Sequence, residues 1–380
     1  MADRSTRHVL PAVAVALCLA LSGAGMAAGA GRGQSAAASR PYTIQLIGPR
    51  GDAQIAALAD DGRVDGTIVT QRSSLGFVAR GRRVRLLRPP KPFTSSSVVA
   101  GNRRGGLAVE AWRRGGAITP FAVIASARRF RWLRLPEPHG YAGVSLAGVA
   151  ANGDVTGTAL SRPVAEGSTS RAVLWRPLTR RYSRPSLLSL HPGCRSATAT
   201  GIWSGGRRVL VAGVESCGRG RYPAPATLWN LKPRFAPGPN IVAMGGTARA
   251  LYVAGVIRGI DTASSWYGRV SFKSHGRLGI SYHRLRPYRP AVEQFTSVSA
   301  IGADARGRMI AVGTSTAIQH GVPGGAIVWR SGQPRRLQNL IPKRSRWTLL
   351  SATALNRRGQ IAGAGRFHGA PRLYLLTPRA

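Results

Sequence analysis

Acidic residues are scarce in this chain. Asp and Glu together number 13 in 380 residues, against 55 Lys and Arg, and the formal net charge is +42. So small a pool leaves little material for the paired carboxylates of glycoside hydrolysis. Lysine is rarer still, confined to Lys91, Lys232, Lys273 and Lys343. The preference for Arg over Lys is what a GC-rich genome imposes, but codon bias does not remove Asp and Glu. Cysteine occurs only 3 times. There is no C-x-x-C pair, no H-E-x-x-H, no phosphate-binding G-x-x-x-x-G-K and no G-x-S-x-G elbow. No RRM, KH or helix-turn-helix signature is present, so no specific nucleic-acid partner is expected. Long stripes with helical spacing are missing too. What remains is short alternating runs punctuated by Gly (48) and Pro (25), with 43% apolar residues. That combination points to an all-β protein with many tight turns.

The N-terminus is written differently. Arg4 and Arg7 precede the apolar run "VLPAVAVALCLALSGAG", and the small-residue stretch "MAAGAGRGQSAAAS" follows. This is the layout of a secretory signal peptide, with A-x-A sites at Ala28–Ala30 and Ala36–Ala38. An uncleaved membrane anchor is the alternative, because residues 9–30 carry no charge. Bulky Leu17 before Cys18 argues against a lipoprotein site. The predicted organisation is a signal peptide over 1–30, a flexible linker over 31–41 and one domain over 42–380. No other segment is long and apolar enough to span a bilayer. The mature chain is therefore expected outside the cell, as a monomer with no stable membrane span.

Cleavage leaves two cysteines, Cys194 and Cys217. An even count in an exported chain suggests a disulfide, and the spacing does not suggest zinc. Their midpoint falls between Gly205 and Gly206, in the turn "SGGRR" (204–208). Residues equidistant from a hairpin turn face each other, so a cross-strand bond is predicted.

The body of the chain repeats. Each unit reads as an alternating strand, a turn rich in Asn, Asp, Gly or Arg, and a second strand ending at Gly or a small residue. The turns are "DDGR" (60–63), "NRRG" (102–105), "ANGD" (151–154), "SGGRR" (204–208), "TARA" (247–250), "ARGR" (305–308) and "NRRG" (356–359). The second-strand markers are Gly66, Val109, Gly157, Gly213, Gly255, Gly313 and Gly363. An aromatic third strand follows, as in "AVLWR", then a basic turn and a fourth strand, as in "RFRWLRL". Seven four-stranded antiparallel units at this period describe a seven-bladed β-propeller. The last unit stops after its third strand, "RLYLLTP". Meanwhile "YTIQLIG" (42–48) precedes the first complete hairpin with no unit of its own. It is predicted to complete blade seven and close the ring. An open solenoid capped by that strand is the alternative.

"SATALNRRGQIAG" and "LAGVAANGDVTG", with "RAVLW" (171–175) and "GAIVW" (325–329), resemble the unit of the HAF-repeat family of extracellular proteins. Arg171 and Gly325 stand where that unit carries His. The resemblance implies secretion and a propeller-like fold, and it implies no defined activity.

Propeller geometry sorts the candidate residues onto two faces. The 2–3 loops and inter-blade links share one face, where function commonly lies. Trp112, His139, Tyr141, His191, Asp261, Trp266, His320 and His368 are predicted there. The 1–2 and 3–4 turns share the other face and carry Arg almost everywhere. Arg103, Arg104, Arg207, Arg208, Arg357 and Arg358 are its candidate ligand-binding residues, since guanidinium groups grip phosphate and sulfate in bidentate fashion. Asp60, Asp61, Asp154 and Asp304 sit in the turns and are expected to cap their own backbones. In "RRFRWLR", Phe130 and Trp132 are expected to face inward and Arg outward, protecting an exposed strand edge.

The sequence therefore predicts a secreted, non-catalytic module for an anionic glycan or cell-envelope polymer, with no catalytic residue, metal or cofactor. The alternative is an extracellular polysaccharide lyase or hydrolase whose site lies on the loop face.

Overall fold

The computed structural model describes residues 41–379, apart from 50, 72, 127–128, 162–168, 180, 206–207, 218–224, 231, 248–249, 259–262, 273–277, 289–293, 305 and 318–324. Residues 39–380 form one compact unit. Seven antiparallel sheets of four strands succeed one another in it as propeller blades. Among the described residues no helix is long and apolar enough to cross a membrane.

Blade seven is built from both ends of the domain. Its first three strands are Trp347–Leu355, Ile361–Phe367 and Ala370–Pro378, and its fourth is Tyr42–Ile47. The last two pair from Tyr42↔Pro378 to Ile47↔Leu373. Tyr42 and Ile47 are each only 1% exposed, so the strand's ends are core as well as edge. The ring is thus closed by the N-terminal strand, as the sequence predicted.

The first strand of every blade carries a one-residue bulge at the same place. The extra residues are Ala56, Val99, Ala147, Thr200, Val242, Ser299 and Thr353. Each bulge falls just after the residue that pairs with the second-strand marker, for example Ala199↔Gly213 and Ala352↔Gly363. A bulge leaves its extra residue outside the ladder and sharpens the strand's twist. Here it occurs on the innermost strand of every blade.

The marker glycines are explained by close approach. A Cβ on Gly213 would run into the Thr198 carbonyl oxygen and lie 2.6 Å from the Trp229 ring. A Cβ on Gly363 would collide with the Ser351 carbonyl and the Tyr374 hydroxyl. The aromatic third strand thus lies over a second strand with no side chain at that point. Three of these aromatics also fasten the chain between blades. The indole N–H groups of Trp175, Trp229 and Trp329 donate to the carbonyls of Pro136, Ser189 and Arg286, each in the link leading into its blade.

Neighbouring blades are joined by side chains that complete backbone groups. Asn102, at the first turn position of blade two, accepts from the N–H groups of Arg104 and Gly106 and donates to the Ala150 carbonyl of blade three. Asn356 of blade seven does the same with Arg358, Gln360 and the Ala59 carbonyl of blade one. Nearer the loop face, Thr67, Glu110 and Thr158 each accept from the backbone N–H of the next blade's residue before the bulge: Val98, Leu146 and Ala199.

Candidate functional site

The first strands of all seven blades line a central channel of about 400 Å³. Its wall is mostly small or aliphatic, including Ala56, Val99, Ala147, Gly148 and Val242. Three of the bulged residues supply hydroxyls: Thr200, Ser299 and Thr353. Among the described lining residues, charge enters only at the turn-face end, from Asp60, Arg103 and Arg357. The backbone N–H of Arg357 donates to Asp60, and its guanidinium reaches the Gly246 carbonyl of blade five at 3.4 Å. Arg357 therefore leans across the mouth of the channel.

The turn-face arginines do not converge on one point. Arg103 and Arg357 stand at the mouth, and Arg104 and Arg358 are exposed around it. Arg208 turns outward instead and stacks 4.3 Å over the Phe272 ring of blade five. Arg207 lies outside the described residues.

The acids of this face are already engaged. Asp61 pairs with Arg80, and Asp304 pairs with Arg308 at 2.9 Å. Burial tends to raise the Asp304 carboxyl, but bonds from Arg308 and from the Arg306 N–H outweigh it and hold it below its usual value. Asp304 and Asp61 cap their own turns, as expected. Asp60 instead reaches across the closing seam, and Asp154 is buried while Asn152 caps its turn. By contrast, exposed Arg82, Arg83, Arg104, Arg129, Arg181, Arg306 and Arg358 form no ion pair among the described residues. They come from blades one, two, three, six and seven.

One acid of blade one was invisible as a special residue in the sequence. Asp65 is fully buried and receives both Nε and Nη2 of Arg63, at 2.8 and 2.9 Å. Burial pushes its carboxyl up to about 6 against the pull of that guanidinium.

The loop face is less uniform than the sequence suggests. His139 and His368 are exposed, and among the described residues no candidate histidine bonds to another. Asp261 and His320 lie outside the described residues. Trp112 ends the second strand of blade two, Gly106–Trp112, and is half-buried. Tyr141 packs against the core cluster around Trp175. Trp266 is not a loop residue. It sits within the strand Ala263–Phe272, 3% exposed, over Gly255 and 5.0 Å from the Tyr282 ring. Blade five has the faintest repeat, and Gly268 breaks the alternation that would have placed Trp266 on a strand. In "RFRWLRL", Trp132 packs at 5.4 Å on Phe121 and Arg131 is exposed, so the aromatic residues face inward.

Among the described residues, His191 is the one loop-face candidate held by a carboxylate. Its Nδ1 lies 2.5 Å from Glu215 Oε2, its backbone N–H donates to Glu215 Oε1, and Thr227 donates to the same carboxylate. The disulfide between Cys194 and Cys217 closes beside this pair. Its register differs from simple symmetry. The hairpin tip pairs Gly205 with Arg208, and two bulges in the first strand bring Cys194 back opposite Cys217.

No family description matches the sequence, and no curated protein matches it. Among solved structures the chain is similar to a protein of unknown function from Dyadobacter fermentans, at 10% identity over 90% of this chain and 99% of that one, with a TM-score of 0.41. It is also similar to the tricorn protease, at 12% identity and a TM-score of 0.49, covering 90% of this chain and 34% of that one. Trypanosoma rangeli sialidase in complex with sialic acid matches at 10% identity over 85% of this chain and 59% of that one, with a TM-score of 0.42. Likenesses this distant carry no statement about activity.

Proposed function

We propose that this chain is a secreted, non-catalytic binding module whose turn face receives an anionic extracellular polymer, a glycan or cell-envelope component. The observation that carries the reading is the surplus, on that face, of arginines that form no ion pair among the described residues. Arg82, Arg83, Arg104, Arg129, Arg181, Arg306 and Arg358 are exposed while Asp60, Asp61 and Asp304 are already bonded. Guanidinium groups spread over several blades suit a repeating polyanion better than one small ligand. The disulfide and the resemblance to extracellular HAF repeats support an exported protein.

The test compares charge-matched variants. One converts Arg103, Arg104, Arg357 and Arg358 to Gln. The other converts four exposed loop-face residues, Arg113, Arg114, Arg195 and Arg366. Binding to sulfated and phosphorylated polymers is measured across a salt series. The turn-face variant should lose far more affinity and show a shallower salt slope. Equal losses would mean a diffuse field without a site. A larger loss from the second variant would move binding to the loop face. The lyase or hydrolase alternative draws on the His191–Glu215 contact, in which a carboxylate orients an imidazole. Turnover of a uronate polymer that His191→Phe abolishes would favour it.

A further inference from the structure

We propose that the end of the blade-four hairpin is a redox-gated metal site: reduction of Cys194–Cys217 exposes a tetrahedral ligand set for a zinc-like divalent ion. The set comprises the two sulfurs with His191 and Glu215. This inference does not depend on how the turn face is used.

The placement is local and dense. The ligand atoms of Cys194, Glu215 and Cys217 all lie within 4.8 Å of one another, and no other group of three such side chains does so among the described residues. His191 stands outside that trio but bonds to it, with Nδ1 at 2.5 Å from Glu215, and its ring would turn toward the sulfurs to become the fourth donor. Its own approach is set by a tight turn, "HPGC". There the Cys194 N–H donates to the His191 carbonyl at 3.1 Å, and Gly193 takes φ 81°. A two-residue spacer is a common separation between neighbouring zinc ligands. Glu215 and Cys217 come from the facing strand, where Glu-x-Cys alternation puts both side chains on one side of the sheet.

The chemistry of the donors selects the ion. Two thiolates, one imidazole and one carboxylate suit zinc or cobalt, and thiolates disfavour calcium and magnesium. Zinc–sulfur bonds are about 2.3 Å, so two sulfurs in a tetrahedral site stand roughly 3.8 Å apart. Rotation of two side chains on directly paired residues supplies that separation once the covalent bond is gone. Glu215 is wholly buried and His191 is 12% exposed. In the oxidised chain they bond to each other, and Thr227 donates to the same carboxylate. In the reduced chain an ion would take both.

The reaction balances simply. A dithiol reductant gives two electrons and two protons to the disulfide and becomes a disulfide itself, leaving two thiols on the chain. Binding a divalent ion then releases both thiol protons. The ion would tie the hairpin ends together in place of the sulfur–sulfur bond.

The full chain is reduced with a tertiary phosphine, which becomes its oxide as water supplies oxygen and protons. The phosphine is removed without air, and cobalt(II) or zinc(II) is titrated. One equivalent of cobalt should bind with tetrahedral ligand-field bands and thiolate-to-metal charge transfer, and the oxidised chain should show neither. Zinc should raise the melting temperature of the reduced chain alone. Glu215→Gln and His191→Phe should each weaken binding about tenfold or more. The double variant Cys194→Ser, Cys217→Ser, checked for cooperative melting, should lose the charge-transfer band. No binding after reduction would overturn the proposal. So would equal binding by the double-serine variant, or spectra lacking thiolate ligation.

Discussion

The seam between blades two and three and the seam between blades seven and one use the same bond at very different cost in chain order. Asn102 reaches Ala150 across 48 residues, and Asn356 reaches Ala59 across 297. Loop-closure entropy grows only with the logarithm of length, so the longer closure costs about 1.5 kcal/mol more. Each seam adds a second bond: Glu110 accepts from the Leu146 N–H at the first, and Asp60 accepts from the Arg357 N–H at the second, where Gln360 also braces Asn356. The comparison teaches that the ring is closed by repetition of an interior joint.

The strongest way to break that comparison is to remove residues 42–48. Burial of Tyr42 and Ile47 would be lost, with blade seven's third strand left as an open edge. We expect destabilisation of at least about 5 kcal/mol and aggregation. Melting and sedimentation measure it, and a truncated chain as stable and monomeric as the parent would show that the seam needs no fourth strand. Next comes the covalent fastening of blade four. Cys194→Ser should cost on the order of 3 kcal/mol in denaturant unfolding, from the lost chain constraint. A negligible change would mean that the hairpin's hydrogen bonds suffice.

The seam between blades one and two holds the buried pair Arg63–Asp65, and here pH sharpens the contrast. The folded Asp65 carboxyl lies at about 6, above its ordinary 3.8, so the folded state holds its proton more tightly. Its contribution is therefore most favourable below the unfolded value and is lost as pH rises through 6. Relative to Asp65→Asn, the parent should lose roughly 1–3 kcal/mol between pH 4 and pH 7. A constant difference between the two proteins would contradict the raised value. The smallest effects come from the paired joints. Asn102→Ala and Asn356→Ala should each cost about 1–2 kcal/mol. Equal losses would confirm that the joints are equivalent, and a much larger loss at Asn356 would show that closure leans on that residue.

Much of the architecture was legible because its signals are local. Turn glycines such as Gly62, Gly105 and Gly359 take positive φ, and a residue type reports that directly. The orphan strand "YTIQLIG" matched the strand missing from blade seven by counting alone. The candidate site was less legible. Glu110 carries no sequence signal of a role, yet it accepts the Leu146 N–H as Thr67 and Thr158 do for their neighbours, and burial raises its carboxyl. Arg208 looks like part of a cradle, yet it covers Phe272.

The sequence by itself determined the number of blades, the turns and the pairing of Cys194 with Cys217, because those follow from repeat counting and residue type. Only the tertiary structure decided where the bulges fall, and thus which residues line the channel. It also decided that the predicted Cys194–Cys217 pair meets through two bulges and not by simple symmetry about the turn, and that His191 meets Glu215. The physical reason is the same in each case. A bulge slips one strand past another by one residue, and which side chains then meet depends on the summed fit of the whole sheet, which no short stretch encodes.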